Sequence, residues 1–156
     1  MSLRQSPSTV RHRPSRTPLA ALRRADPHLQ AVVIRVRAWA LGRGEACSTD
    51  ALTAVVGSAV DEGRAGLCSP LRWTRKRVDQ VLRNGAASYC TRREVDLPEG
   101  LGRAMELFLE YLGAQDALAP ESEPLERLLV AARSAIDPAD RRRRVAARHP
   151  ANGRGA

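Results

Sequence analysis

Ser48-Thr49-Asp50-Ala51-Leu52-Thr53-Ala54-Val55-Val56-Gly57-Ser58-Ala59-Val60-Asp61-Glu62-Gly63 is the stretch that settles the fold class. Leu52, Val55, Val56, Ala59 and Val60 recur at helical spacing, which predicts an apolar stripe on one helix face. Ser48 supplies a side-chain acceptor for the first orphan N–H groups. Asp50 lies in the first turn, where the helix dipole favours an acid. Gly63 offers a left-handed stop. A helix over about 49–62 follows.

The same grammar extends in both directions. Upstream, Asp26-Pro27 pairs a capping side chain with a proline that has no N–H to satisfy, and opens a helix. Its face is Leu29, Val32, Val33, Val36 and Ala40, and Gly42 ends it. Before it, Thr17-Pro18 would start only a short turn through Arg24. Downstream, Thr74 caps a third helix to about Asn84-Gly85, with Val78, Val81 and Leu82 inward, and Ala86–Cys90 is read as a further turn. Asp96-Leu97-Pro98 opens a fourth, with Leu101, Met105, Phe108 and Leu112 in register and Gly113 as its stop. Ser122-Glu123-Pro124 opens a fifth, striped by Leu125, Leu128, Leu129, Ala132, Ala135 and Ile136. Strand alternation of useful length and internal repeats are both absent from the sequence. The expectation is an all-α protein: a single compact bundle of about five helices over residues 26–137. Trp39, Trp73, Phe108 and Tyr111 are its expected bulky anchors.

The flanks differ in composition. Residues 1–25 carry six arginines and no acid, and residues 141–156 carry six arginines and no acid. Segments 1–25 and 138–156 therefore read as disordered, arginine-rich tails. The N-terminal stretch has the arginine and serine content of a transit peptide, but Pro7, Pro14 and Pro18 would break the amphipathic helix such a peptide forms. No run approaches the ~20 apolar residues of a membrane helix. Three cysteines, Cys47, Cys68 and Cys90, form no close pair, which points to free thiols in a reducing, cytoplasmic setting. With His28 they also lack the C-x₂₋₄-C pair that a zinc or iron–sulfur site uses, so no metal or other cofactor is expected.

Charge carries the functional reading. The chain has a net charge of +9, with 25 arginines and one lysine, Lys76. The core is polarised: residues 26–93 carry a net of +5 and residues 94–140 a net of −8. The third helix breaks its own local rule. Arg75-Lys76-Arg77, with Arg72 just before, loads a helix N-terminus with positive charge, which opposes the macrodipole by about 0.3–1 kcal/mol per group. Cationic side chains and helix N–H groups together would form a phosphate-binding end. Arg83, Arg92 and Arg93 extend the charge, and the run Arg141, Arg142, Arg143 and Arg144 adds a flexible cationic arm. Helix, turn and basic helix is also, loosely, the layout of a helix-turn-helix, although the stretch between Glu62 and Thr74 is longer than a tight turn.

These residues predict a nucleic-acid-binding protein, with DNA preferred over RNA because aromatic stacking platforms are scarce. It would be associated with the nucleoid. The histidines His12, His28 and His149 make no evident catalytic pairing. Glu106 and Glu110 share a helix face and read as surface charge, so no enzyme is expected. The competing expectation is a helical adaptor or regulatory protein. It would bind a protein partner, or a second copy of itself, through the acidic helix pair in residues 97–136.

Overall fold

A computed structural model of the chain describes residues 17–135, and these form six helices without a strand. Helix α1 is Leu19–Ala25, α2 is Pro27–Gly42 and α3 is Thr49–Arg64. Helix α4 covers 75–92: it is α-helical at Arg75–Gln80, makes a π turn at Val81–Gly85, and is α-helical again at Ala86–Arg92. Helix α5 is Leu101–Ala114 and α6 is Leu125–Ser134. The predicted caps are in place at three starts. Asp26 accepts from the Leu29 N–H (3.2 Å), Ser48 from Ala51 (3.2 Å) and Thr74 from Arg77 (3.2 Å).

Helix α3 is the axis of the fold. All ten residues from Ala51 to Val60 are buried, so the helix has no solvent face along this length. A helix apolar on every side must be enclosed, and α1, α2, α4 and α5 pack around it. The stripe expected on one face is therefore too narrow a description. Ala51, Thr53, Ala54, Gly57 and Ser58 fill the other sides with small groups that let neighbouring backbones come close. A Cβ added at Gly57 would sit 2.7 Å from Tyr89 Cε2, and one at Gly85 would sit 2.8 Å from Ser58 Oγ. The buried polar side chain of Thr53 is satisfied: its hydroxyl donates to the Thr49 carbonyl (2.7 Å) and accepts from Arg23 (3.1 Å).

The π turn in α4 has a pattern behind it. Val78, Leu82, Ala86 and Cys90 repeat every fourth residue and are all buried. In a straight helix of 3.6 residues per turn such a row would wind off the contact face. The wider turn at Val81–Gly85, where the Ala86 N–H reaches the Val81 carbonyl, keeps the row inward. Asn84-Gly85 consequently does not close the helix, which runs on to Arg92. Its second half packs on α3 and its first half, Arg75–Gln80, packs on α6.

Other boundaries shift for local reasons. Helix α2 ends at Gly42 as expected and α3 runs one residue past Gly63, and the left-handed turns come later, at Gly44 (φ 74°) and Gly66 (φ 70°). Helix α5 starts at Leu101, after Gly100, and not at Asp96-Leu97-Pro98. It continues through Gly113, where a Cβ would sit 2.6 Å from Leu125 Cδ2. Packing begins before residue 26: α1 lies in the stretch expected to be tail, and its Leu19 is buried. Residues 1–16, the fifth-helix position Ile136 and the tail from 138 lie outside the described residues. Trp73 and Phe108 are buried edge to face (6.0 Å between centroids), whereas Trp39 and Tyr111 pair half-buried at 5.9 Å. Among the described residues no helix is long and apolar enough to cross a membrane.

Because the α3–α4 approach relies on Gly57, Gly57→Ala should cost about 2 kcal/mol by overpacking Tyr89. Gly42→Ala, with nothing within 4 Å of the added Cβ, should instead be neutral or raise stability by up to about 1 kcal/mol. Thermal or urea unfolding of the two variants reads this difference.

Candidate nucleic-acid interface

The start of α4 is held by two loops. Residues 71–73 of the α3–α4 connection pair with residues 119–123 of the α5–α6 connection. The Ala119 N–H donates to the Leu71 carbonyl and the Glu123 N–H to the Trp73 carbonyl, both at 2.9 Å, and the Trp73 N–H donates to Ser122 Oγ at 3.0 Å. Trp73 is fully buried at this junction, with its indole N–H on the Pro70 carbonyl (3.0 Å). Thr74 and the basic first turn of α4 follow at once, so their position is set by this anchor.

The expected basic residues divide into three groups. Arg77 is buried and Arg93 is half-buried, and both are tied to the fold. The Arg77 side chain is only 9 % exposed. Its guanidinium lies 4.3 Å from the Trp73 ring, bonds Glu62 through Nε (3.1 Å) and Nη2 (2.9 Å), and donates to the carbonyls of Ser69 and Arg72. Four of its five N–H donors are thus spent inside the protein. Arg93 stacks on Tyr89 at 4.0 Å and bonds Asp61 at 2.7 Å. For Arg77 this burial replaces the expected outward contact with a structural one, and Arg93 is partly engaged in the same way.

Arg75, Arg83 and Arg92 are exposed, but each faces a carboxylate: Glu123 at 2.9 Å, Asp79 at 2.5 Å and Asp61 at 3.5 Å. Glu123 also accepts the Arg75 backbone N–H, so the carboxylate already occupies the end of α4 expected to cradle phosphate. That N–H, with the Arg75 guanidinium, holds the Glu123 carboxyl below its ordinary 4.5. The basic helix start thus recruits its own counter-charge, which removes the dipole conflict apparent in the sequence. Arg72 and Lys76 form the third group. Both are exposed, and neither makes an ion pair or side-chain hydrogen bond with another described residue.

Two grooves meet at Lys76. One, of about 480 Å³, is lined by Arg75, Lys76, Asp79, Arg83, Glu123 and Ala135. The other, of about 290 Å³, includes Leu67, Arg72, Lys76 and Arg77. Arg92 and Arg93 line neither groove and share Asp61 at the far end of α4. Arg141, Arg142, Arg143 and Arg144 lie outside the described residues. Ala135, which lines the first groove, is six residues before Arg141 in the sequence.

The acidic half of the chain is more neutralised than its composition implies. Glu106, expected as surface charge, is buried and bonds Arg133 (2.6 Å) and Arg103 (3.0 Å). Burial pushes its carboxyl up, but the two arginines more than offset that and hold it below 4.5. Glu110 sits between Arg43 (3.7 Å) and Arg133 (4.0 Å). The acidic face expected to hold a partner is in this part an internal charge network joining α5 and α6. Among the described residues no group of three or more His, Cys, Asp or Glu side chains could hold a metal ion. Burial raises the Cys90 thiol to about 11, which makes it an unreactive core group.

Comparison with protein-family models, with curated proteins and with solved structures finds no match for this chain.

Arg77→Ala should cost about 3 kcal/mol, because it strands Glu62 and uncovers Trp73. Lys76→Ala one position earlier should change stability by less than about 0.5 kcal/mol. Equal small losses in urea unfolding would contradict the structural role given to Arg77.

Proposed function

We propose that this chain is a non-enzymatic nucleic-acid-binding protein that holds the phosphate backbone, of DNA in preference to RNA, without a cofactor. The observation that carries the reading is the cluster of Arg72, Arg75, Lys76 and Arg83 around two adjoining grooves, with Arg72 and Lys76 left without a carboxylate among the described residues. Exposed cations without internal partners can replace the condensed counterions of a polyanion. The C-terminal arginine run Arg141–Arg144, six residues on in sequence from the groove residue Ala135, adds charge. In this reading α3 and α4 stand in a loose helix-turn-helix relation, with the first half of α4 lying along the duplex. Glu123 and Asp79 beside it repel phosphate locally. The contact therefore runs along the line from Arg72 through Lys76 to Arg83, and not head-on at the helix end. Few side chains there are free to reach base edges, which favours backbone binding over sequence readout. Such a protein would work in the nucleoid.

The salt dependence of duplex binding tests the proposal. Arg72→Ala/Lys76→Ala should reduce the slope of log affinity against log salt by about 2, at roughly 0.9 for each phosphate no longer neutralised. Arg35→Ala/Arg37→Ala on α2 should leave it unchanged. Absence of duplex binding at low salt, or a slope that ignores the Arg72/Lys76 change, would overturn the reading.

A further inference from the structure

Helix α2 is apolar on two sides. Its inner face, Leu29, Val33, Val36 and Ala40, is buried against the bundle. Its outer face carries Ala31, Ile34, Ala38 and Leu41, spaced at i, i+3, i+7 and i+10, the a/d spacing of a helix that pairs with another helix. Ile34 is 53 % and Leu41 56 % exposed, and Ala38 is exposed beside them. Arg35 and Arg37 flank this row at the e and g positions. Both are exposed, and neither bonds another described residue. Most other described arginines have a carboxylate or carbonyl partner, so such a pair beside an uncovered apolar row stands apart.

We propose that the outer face of α2 docks an amphipathic helix of another protein, one with apolar residues at its own a and d positions and glutamate or aspartate at the flanking ones. Three other occupants fit the chemistry less well. A second copy offers no counter-charge: antiparallel it would set Arg35 and Arg37 against arginines, and parallel against the uncharged Gln30 and Gly42. The segments 1–16 and 136–156 of this chain carry ten arginines against two acids, Asp137 and Asp140. A lipid surface would be gripped by bulky and aromatic side chains, whereas two of the four positions in the row are alanine. Alanines alternating with Ile34 and Leu41 instead leave holes for the knobs of a facing helix. This surface is independent of the phosphate-binding grooves.

The test uses the full chain with designed three-heptad peptides as probes, Leu at a and d, and either Glu or Lys at e and g. The Glu peptide should bind and the Lys peptide should not. Ile34→Ser/Leu41→Ser should weaken the Glu peptide by at least about tenfold, with unchanged circular dichroism because both side chains are exposed. Arg35→Glu/Arg37→Glu should reverse the preference and take the Lys peptide. No binding of the Glu peptide, equal binding of both, or binding that survives the serine changes overturns the proposal. So does self-association that the serine changes abolish, which would make the occupant a second copy. Binding to phosphatidylserine vesicles that they abolish overturns it too, and would make the occupant a membrane.

Discussion

A helix with no polar side is the constraint from which the rest follows. Ala51 to Val60 of α3 are buried all round, and a segment of that kind is stable only when other elements enclose it. Enclosure needs close approach. The small residues facing α4 permit it, with Tyr89 against Gly57 and Gly85 against Ser58. The four-residue repeat of Val78, Leu82, Ala86 and Cys90 then needs the underwound turn at Val81–Gly85 to stay on the contact face. Most of the arginines find their places on the helices that surround this axis and in the loops between them.

Those places are of two kinds. Trp39 and Arg43, Trp73 and Arg77, and Tyr89 and Arg93 each place an arginine four residues after an aromatic ring, with the guanidinium 4.0–4.5 Å from the ring centroid. Each of these arginines also meets a carboxylate: Glu45 and Glu110, Glu62, or Asp61. A planar cation that stacks and forks at the same time is well suited to closing a small bundle with few aromatics. Much of the positive charge is thus part of the structure. Among the described residues, the exposed cations without an ion pair or a side-chain hydrogen bond are Arg35 and Arg37 on α2, Arg72 and Lys76 at the start of α4, and Arg127 on α6.

The helical class, the caps at Asp26, Ser48 and Thr74 and most core positions were legible in the sequence, because they depend on neighbours three or four residues away. The helix ends were less so. Gly63 and Gly113 have the look of stops, but the helices run one residue beyond each of them, where Pro70 and Leu125 pack close, whereas α2 does end at Gly42. The site was legible in outline only. Glu123 contacts Arg75 across 48 residues of sequence, and Glu62 contacts Arg77 across 15, so no local pattern could assign either partner. One signal was present: the aromatic at i and arginine at i+4 mark Arg77 and Arg93 as stacking residues and separate them from Lys76.

Arginines that hold the fold and cations that are free to bind should respond differently to a polyanion. Amide chemical shifts recorded during titration with a short DNA duplex report on this division residue by residue. Salt-sensitive shifts are expected at Arg72, Arg75, Lys76 and Arg83, with little change along α5. Shifts centred on Leu101–Ala114, or none at any duplex concentration in low salt, would contradict the division.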